Sequence, residues 1–280
     1  LAQGPTSVVA TFEKFVVGTG AAALVEPRGV AVDGKGVLYV ADSATRHIQR
    51  FASDGKSLGA VDLPIDAPGQ PWDIASAPDG TVVACEPETG TLWRITRDGK
   101  TDRIGSGTFA KPRGIGTDAA GNVYVAETAG NKVTKVSPTG QVLQSFEAKV
   151  KNVPPLLDQP TDVAVDAQGN LYVVEPDHGR LERLSPSGAS LGVWEIPKGN
   201  TSVAPHLAAL PRGNVAVTLP DDHKVVVVDN AGQIVGQIGT PGVGDGQVTT
   251  PFGVATDPSG SFVYVSDFEL KRIAVFKLSR

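Results

Sequence analysis

Apolar residues along this chain come in short runs, not at helical spacing. Runs such as VAVD and LYVV alternate with Gly-, Asp- and Asn-rich turns, and no segment shows helical periodicity with caps. That alternation predicts antiparallel β-meanders. The pattern also repeats. Copies read EPRGVAVDGKGVLYVAD (26–42), QPWDIASAPDGTVVACE (70–86), KPRGIGTDAAGNVYVAE (111–127), QPTDVAVDAQGNLYVVE (159–175) and TPFGVATDPSGSFVYVSD (250–267), with a fainter APHLAALPRGNVAVTL at 204–219. Counted from Pro27, Pro71, Pro112, Pro160, Ala204 and Pro251, the steps are 44, 41, 48, 44 and 47 residues.

Each unit resolves into four strands. Pro opens the first, a D-x-x-G-type turn leads into the second, and that strand ends on an acid. An apolar residue six positions on (Ile48, Leu92, Val133, Leu181, Ile273, with Val225 in unit five) opens the third. A further turn such as SDG or SPTG introduces the fourth. Four strands recurring at this period predict an all-β, six-bladed β-propeller forming one domain over 1–280. Unit six ends after its third strand, and 7–17 (SVVATFEKFVV) supplies an unassigned strand. The N-terminal strand is therefore expected to complete the last blade and close the ring.

Composition narrows the partners. Gly (33) and Pro (21) suit many tight turns. With 25 Lys and Arg against 30 Asp and Glu, the net charge of −5 gives no general attraction to nucleic acid or anionic membrane. No apolar run approaches the roughly 20 residues that span a bilayer as a helix, so no membrane insertion is expected. The single cysteine, Cys85 in VVAC, reads as a buried structural thiol. The chain opens LAQGP with no leader, and contains no Met, which reads as a processed or trimmed bacterial chain of extracytoplasmic or secreted location.

The pattern P-x-G-[IV]-A-V-D…G-N-x-Y-V-A-[DE], closest at 27–42, 112–127 and 160–175, resembles the NHL repeat family of β-propellers. The Gly-rich lead-in IGTPGVGDGQVTTPFG (238–253) resembles the link that precedes an NHL unit. This resemblance implies a propeller that binds or senses, often as part of a larger multidomain protein. It also implies an alternative, since relatives include peptide-amidating lyases, and the lactonase-like and streptogramin-lyase propellers are metal-dependent. Unit five departs most, lacking the P-x-G, the strand-end acid and the Asp of the first turn.

The strand-end acids Asp42, Glu86, Glu127, Glu175 and Asp267 recur in nearly every unit, which argues for architecture. Each is expected to accept N–H groups of the loop that follows it and to pair with a nearby base such as Lys132, Arg180 or Arg272. Glu86, in PETGT, has no basic partner in that loop.

Function is expected where the repeat breaks, at the channel mouth. The residue after each Pro should face that mouth: Arg28, Trp72, Arg113, Thr161, Pro205 and Phe252. The next positions include Asp73, Asp162 and His206. Arg28, Trp72, Asp73, Arg113, Asp162, His206 and Phe252 are thus the candidate ligand-binding residues. They suit a peptide, protein or glycan that carries a carboxylate, through stacking and bidentate contacts. No catalytic residue and no resident cofactor follow from any motif: nucleophile elbow, P-loop, dinucleotide fingerprint and C-x-x-C are all missing. Were a divalent ion bound, the sequence points to His178, His206 and His223 as its ligands, with carboxylates of units four and five around them. Two readings stand: a non-catalytic binding or sensor propeller, and a metal-dependent lyase or hydrolase.

Overall fold

A computed structural model describes residues 7–64, 69–105, 107–147, 157–198 and 203–279. Among them are six four-stranded sheets, each an antiparallel meander, and a two-stranded parallel ladder pairing Thr240–Pro241 with Gln247–Val248. The inner strands are Pro27–Val32, Asp73–Ser76, Pro112–Thr117, Asp162–Val165, Leu207–Leu210 and Pro251–Thr256, for blades one to six. The six-bladed all-β propeller expected from the repeats is the observed architecture.

A blade is buried on both faces because its neighbours lie against both. Second strands such as Leu38–Asp42, Val123–Glu127 and Leu171–Glu175 are accordingly buried throughout. The apolar core falls into six clusters, one per blade junction. Between blades one and two, Ala31, Tyr39 and Ile48 pack on Ile74, Val82 and Trp93. Between blades five and six, Ala216 and Val227 pack on Val254, Val265 and Phe276.

The ring closes as anticipated. Val9–Val16 pairs antiparallel with Arg272–Ser279, from Val9 opposite Ser279 to Val16 opposite Ile273, with a register shift between Phe12 and Lys14. Phe12 packs at 4.6 Å from Phe15 and 6.0 Å from Phe276, and the Arg272 guanidinium lies 3.7 Å over the Phe15 ring. Joining first and last strands in one sheet leaves no open seam.

The repeat's recurring letters now have physical roles. Asp118, in the first turn, accepts the N–H groups of Ala120 and Asn122, receives the Tyr124 hydroxyl and pairs with Lys135. Pro27, Pro112 and Pro251 sit opposite Asp42, Glu127 and Asp267 in register, at a strand's first position where no ladder N–H is needed. The strand-end acids are structural, but most of their N–H partners lie in the lead-in to strand one rather than in the loop that follows. Asp42 accepts the N–H groups of Val25 and Glu26 as well as the Thr45 N–H of its own loop, Glu127 that of Ala110, Glu175 that of Asp158, and Asp267 those of Thr249 and Thr250. Antiparallel pairing brings the lead-in of strand one beside the end of strand two, so the acid ties down that lead-in. Lys132, Arg180 and Arg272 do pair with Glu127, Glu175 and Asp267, whereas His47 pairs with Asp62. Glu86, without a base, accepts the N–H groups of Glu88 and Thr89 in its own loop.

Candidate functional site

The third residue of each P-x-G repeat sits where the blades converge on the axis. In blades one, three and six it is glycine, and only glycine fits. A Cβ on Gly29 would lie 2.5 Å from Asp73 Oδ1, and one on Gly114 would lie 2.4 Å from the Asp162 Cα. Blades two, four and five instead carry Asp73, Asp162 and His206, and these three side chains meet on the axis. His206 Nδ1 is 3.4 Å from Asp162 Oδ2 and 3.7 Å from Asp73 Oδ1, the latter contact running between blades two and five. All three are buried, with 6 %, 2 % and 2 % of Asp73, Asp162 and His206 exposed. The P-x-G motif is thus permissive, and its departures mark the chemistry.

Backbone groups hold the carboxylates. Asp73 Oδ2 accepts the Ile115 N–H at 3.0 Å from blade three. Asp162 Oδ2 accepts the Leu207 N–H at 2.7 Å from blade five, and its Oδ1 accepts the Val163 N–H at 2.7 Å. Burial, followed by the charge of Asp162, pushes the Asp73 carboxyl up to about 7, against the pull of His206 and its N–H donors. Burial likewise pushes Asp162 up to about 8, despite the N–H groups of Leu207 and Val163. Burial lowers His206, with Arg28 and Arg113 adding to that effect and Asp73 opposing it. His206 ring nitrogens have no hydrogen-bond partner.

Beside this triad lies an aromatic and cationic cluster. The Arg28 guanidinium stacks 3.9 Å over Trp72 and lies 5.0 Å from the Phe252 ring and 5.1 Å from Phe268. Phe252 in turn lies 4.7 Å from the His206 ring. Arg28 Nε donates to the Ser43 hydroxyl at 2.8 Å, and that hydroxyl donates to Glu26 at 2.8 Å. Burial pushes Arg28 down to about 10, with Glu26 opposing and Arg113 reinforcing. Arg113 lies 5.3 Å from the Trp72 ring. The indole N–H of Trp72 is buried with no partner.

The residues Arg28, Trp72, Asp73, Arg113, Asp162, His206 and Phe252, scattered over 225 positions, therefore converge (28 to 252). Phe268 and Ser43 also join them, and the sequence reading missed both. Each directly follows a strand-end acid, Asp267 and Asp42, and that position was the available signal. The histidine set is corrected. His178 is exposed and pairs with Asp158 at 2.8 Å, and exposed His223 contacts the Thr249 carbonyl. Among the described residues, the group able to hold an ion is Asp73, Asp162 and His206. His178 and His223 sit toward the far ends of their second-to-third-strand loops, away from the cluster, whereas Ser43 and Phe268, at the very start of such loops, reach it. Cys85 is fully buried on blade two, its thiol pushed up by burial, as a structural thiol should be. On the far side the channel holds a cavity of about 170 Å³ bordered by Ser76, Thr117, Thr256 and apolar inner-strand residues.

The NHL repeat family model matches residues 24–51. The architecture defines this chain as a six-bladed β-propeller, within which residues 24–51 match the NHL repeat. No curated protein matches it in sequence. Its fold is similar to a streptogramin B lyase structure, at TM-score 0.68 and 12 % identity over 98 % of both chains. It is also similar to virginiamycin B lyase from Staphylococcus aureus, in a catalytically inactive histidine-to-alanine variant with quinupristin. There the TM-score is 0.66 at 17 % identity, over 96 % of this chain and 85 % of the other. The selenomethionine-substituted form of that lyase aligns at TM-score 0.65 and 17 % identity, over 97 % of this chain and all of the other.

Proposed function

We propose that this propeller is a binding module that captures an anionic group borne by a peptide, protein or glycan, using Arg28, Trp72, Arg113, Phe252 and Phe268. The observation that carries this reading is the posture of Arg28. Its guanidinium is stacked on Trp72 at 3.9 Å and anchored through Nε by Ser43, and its terminal nitrogens donate to no described residue. A guanidinium held flat and partly dehydrated is prepared to form a bidentate pair with a carboxylate or similar anion. The unpartnered Trp72 indole N–H offers a further donor, and the rings offer stacking surface.

The test is a screen of peptide and glycan arrays with the wild-type protein and Arg28→Ala. Hits should share an anionic group beside a ring, and Arg28→Ala should weaken them roughly 30-fold or more, as about 2 kcal/mol of a desolvated charge pair implies. Hits that bind Arg28→Ala equally well would overturn the assignment. The similarity to streptogramin B lyases supports a second reading, in which the captured molecule is cleaved. Mass spectrometry of the recovered hits separates the two: unchanged mass supports the binding module, a cleaved product the lyase.

A further inference from the structure

We propose that Asp73, Asp162 and His206 form a binding site for a divalent transition-metal ion, with zinc the ion that matches the donor set. This inference does not depend on what binds at Arg28. The donor atoms of the three residues all lie within 4.8 Å of one another. Zinc bound to carboxylate oxygen and imidazole nitrogen at about 2.0–2.1 Å separates its tetrahedral ligands by about 3.4 Å. The observed spacings of 3.4 Å and 3.7 Å from His206 Nδ1 to the two carboxylates match that edge. An ion would enter with little rearrangement of the rigid inner strands.

His206 gives the independent indication. It is 2 % exposed, and both of its ring nitrogens lack a hydrogen-bond partner. Buried polar side chains are nearly always satisfied, and an orphaned one requires a reason. Nδ1 points into the space shared with both carboxylates, where a cation would serve it. Once both are ionised, two facing carboxylates in a dry environment repel, and a dication offsets both charges at once. The surroundings resemble a supporting shell: the N–H groups of Ile115, Leu207 and Val163 fix the carboxylates, and the Phe252 ring lies 4.7 Å from the imidazole.

The donor set also selects among ions. Calcium takes six to eight oxygens, and magnesium demands octahedral oxygen, so a site of two carboxylates and one imidazole suits zinc, cobalt or a similar ion better. Three protein ligands leave one tetrahedral position for water or for a group of the ligand.

The experiment uses the whole chain, stripped with chelator, desalted, and loaded with zinc or cobalt(II). Bound metal is measured by elemental analysis after gel filtration, alongside the visible spectrum of the cobalt form and melting curves. The expected result is one equivalent of zinc, a tetrahedral cobalt spectrum, and a melting temperature raised by zinc but not by magnesium. In His206→Ala, shown to be folded by circular dichroism, stoichiometric binding and the zinc-dependent melting shift should both vanish. Less than a tenth of an equivalent on the wild type would overturn the proposal. So would zinc retained unchanged by folded His206→Ala, which would place the ion elsewhere. The wild-type cobalt spectrum decides the matter by itself should the variant fail to fold: an octahedral or absent spectrum sinks the site.

Discussion

Two kinds of acid occupy this propeller, and their surroundings separate them. Glu127 and Asp267 are buried, but each accepts backbone N–H groups and faces a base, so burial is compensated. Asp73 and Asp162 are equally buried, receive N–H groups, and face each other with a neutral imidazole as company. Burial wins for them and pushes their carboxyls up to about 7 and about 8. An unfolded Asp titrates near about 4, so between those values the folded chain holds more protons than the unfolded one, and stability falls as pH rises. Stability from these two groups is fully present below about pH 4 and lost as pH rises through 7 and 8. We expect the urea midpoint of chelated wild-type protein to decline from about pH 5 to about pH 8.5, with Asp162→Asn showing a flatter slope. Equal slopes for the two proteins would assign the decline to other groups.

At the scale of elements, closure by the N-terminal strand is the contact with the longest reach along the chain. Val9–Val16 covers the Arg272–Ser279 strand and contributes Phe12 and Phe15 to the junction with blade five. Removing residues 1–17 would strip that strand's partner, open an edge beside an apolar surface, and leave the Arg272 guanidinium without its aromatic platform. The truncated chain should melt at a lower temperature and associate as concentration rises, measured by light scattering during a thermal scan. A monomer with the wild-type midpoint would show that the closing strand contributes little.

The whole molecule is a ring in which each apolar cluster belongs to two blades at once. Loss of one blade therefore exposes the faces of two others, unlike an open solenoid, whose terminal units can fray singly. We expect one cooperative calorimetric transition, with calorimetric and van't Hoff enthalpies agreeing. Two resolved transitions would divide the chain into separately folding parts. The ring also explains the location of the site. Its axis is the single place where residues of blades two, four and five come together, so Asp73, Asp162 and His206 converge despite lying 89 and 44 positions apart in succession (73 to 162 to 206).

Local chemistry made the blades legible in the sequence. Alternating apolar runs, a turn Asp beneath a Tyr, a Pro at the strand start and an acid at the strand end each act within one repeat, over fewer than 20 residues, as the Glu127 to Ala110 bond illustrates. The channel-mouth residues were legible too, because a repeat fixes which position faces the axis in every blade. Which of those positions touch was not. His178 and His223 looked equivalent to His206 because all three fall on the same face, yet radial distance from the axis separates them and no pattern along the chain encodes that distance. The glycines at 29 and 114 carried the missing information in reverse, since each yields the space that a neighbouring Asp fills. By itself, then, the sequence determined the blades, their number and their closure, since these follow from periodicity and short-range hydrogen bonding. Only the tertiary structure decided that two buried carboxylates and an unpartnered imidazole meet on the axis beside a stacked arginine, because that meeting depends on the curvature of the closed ring.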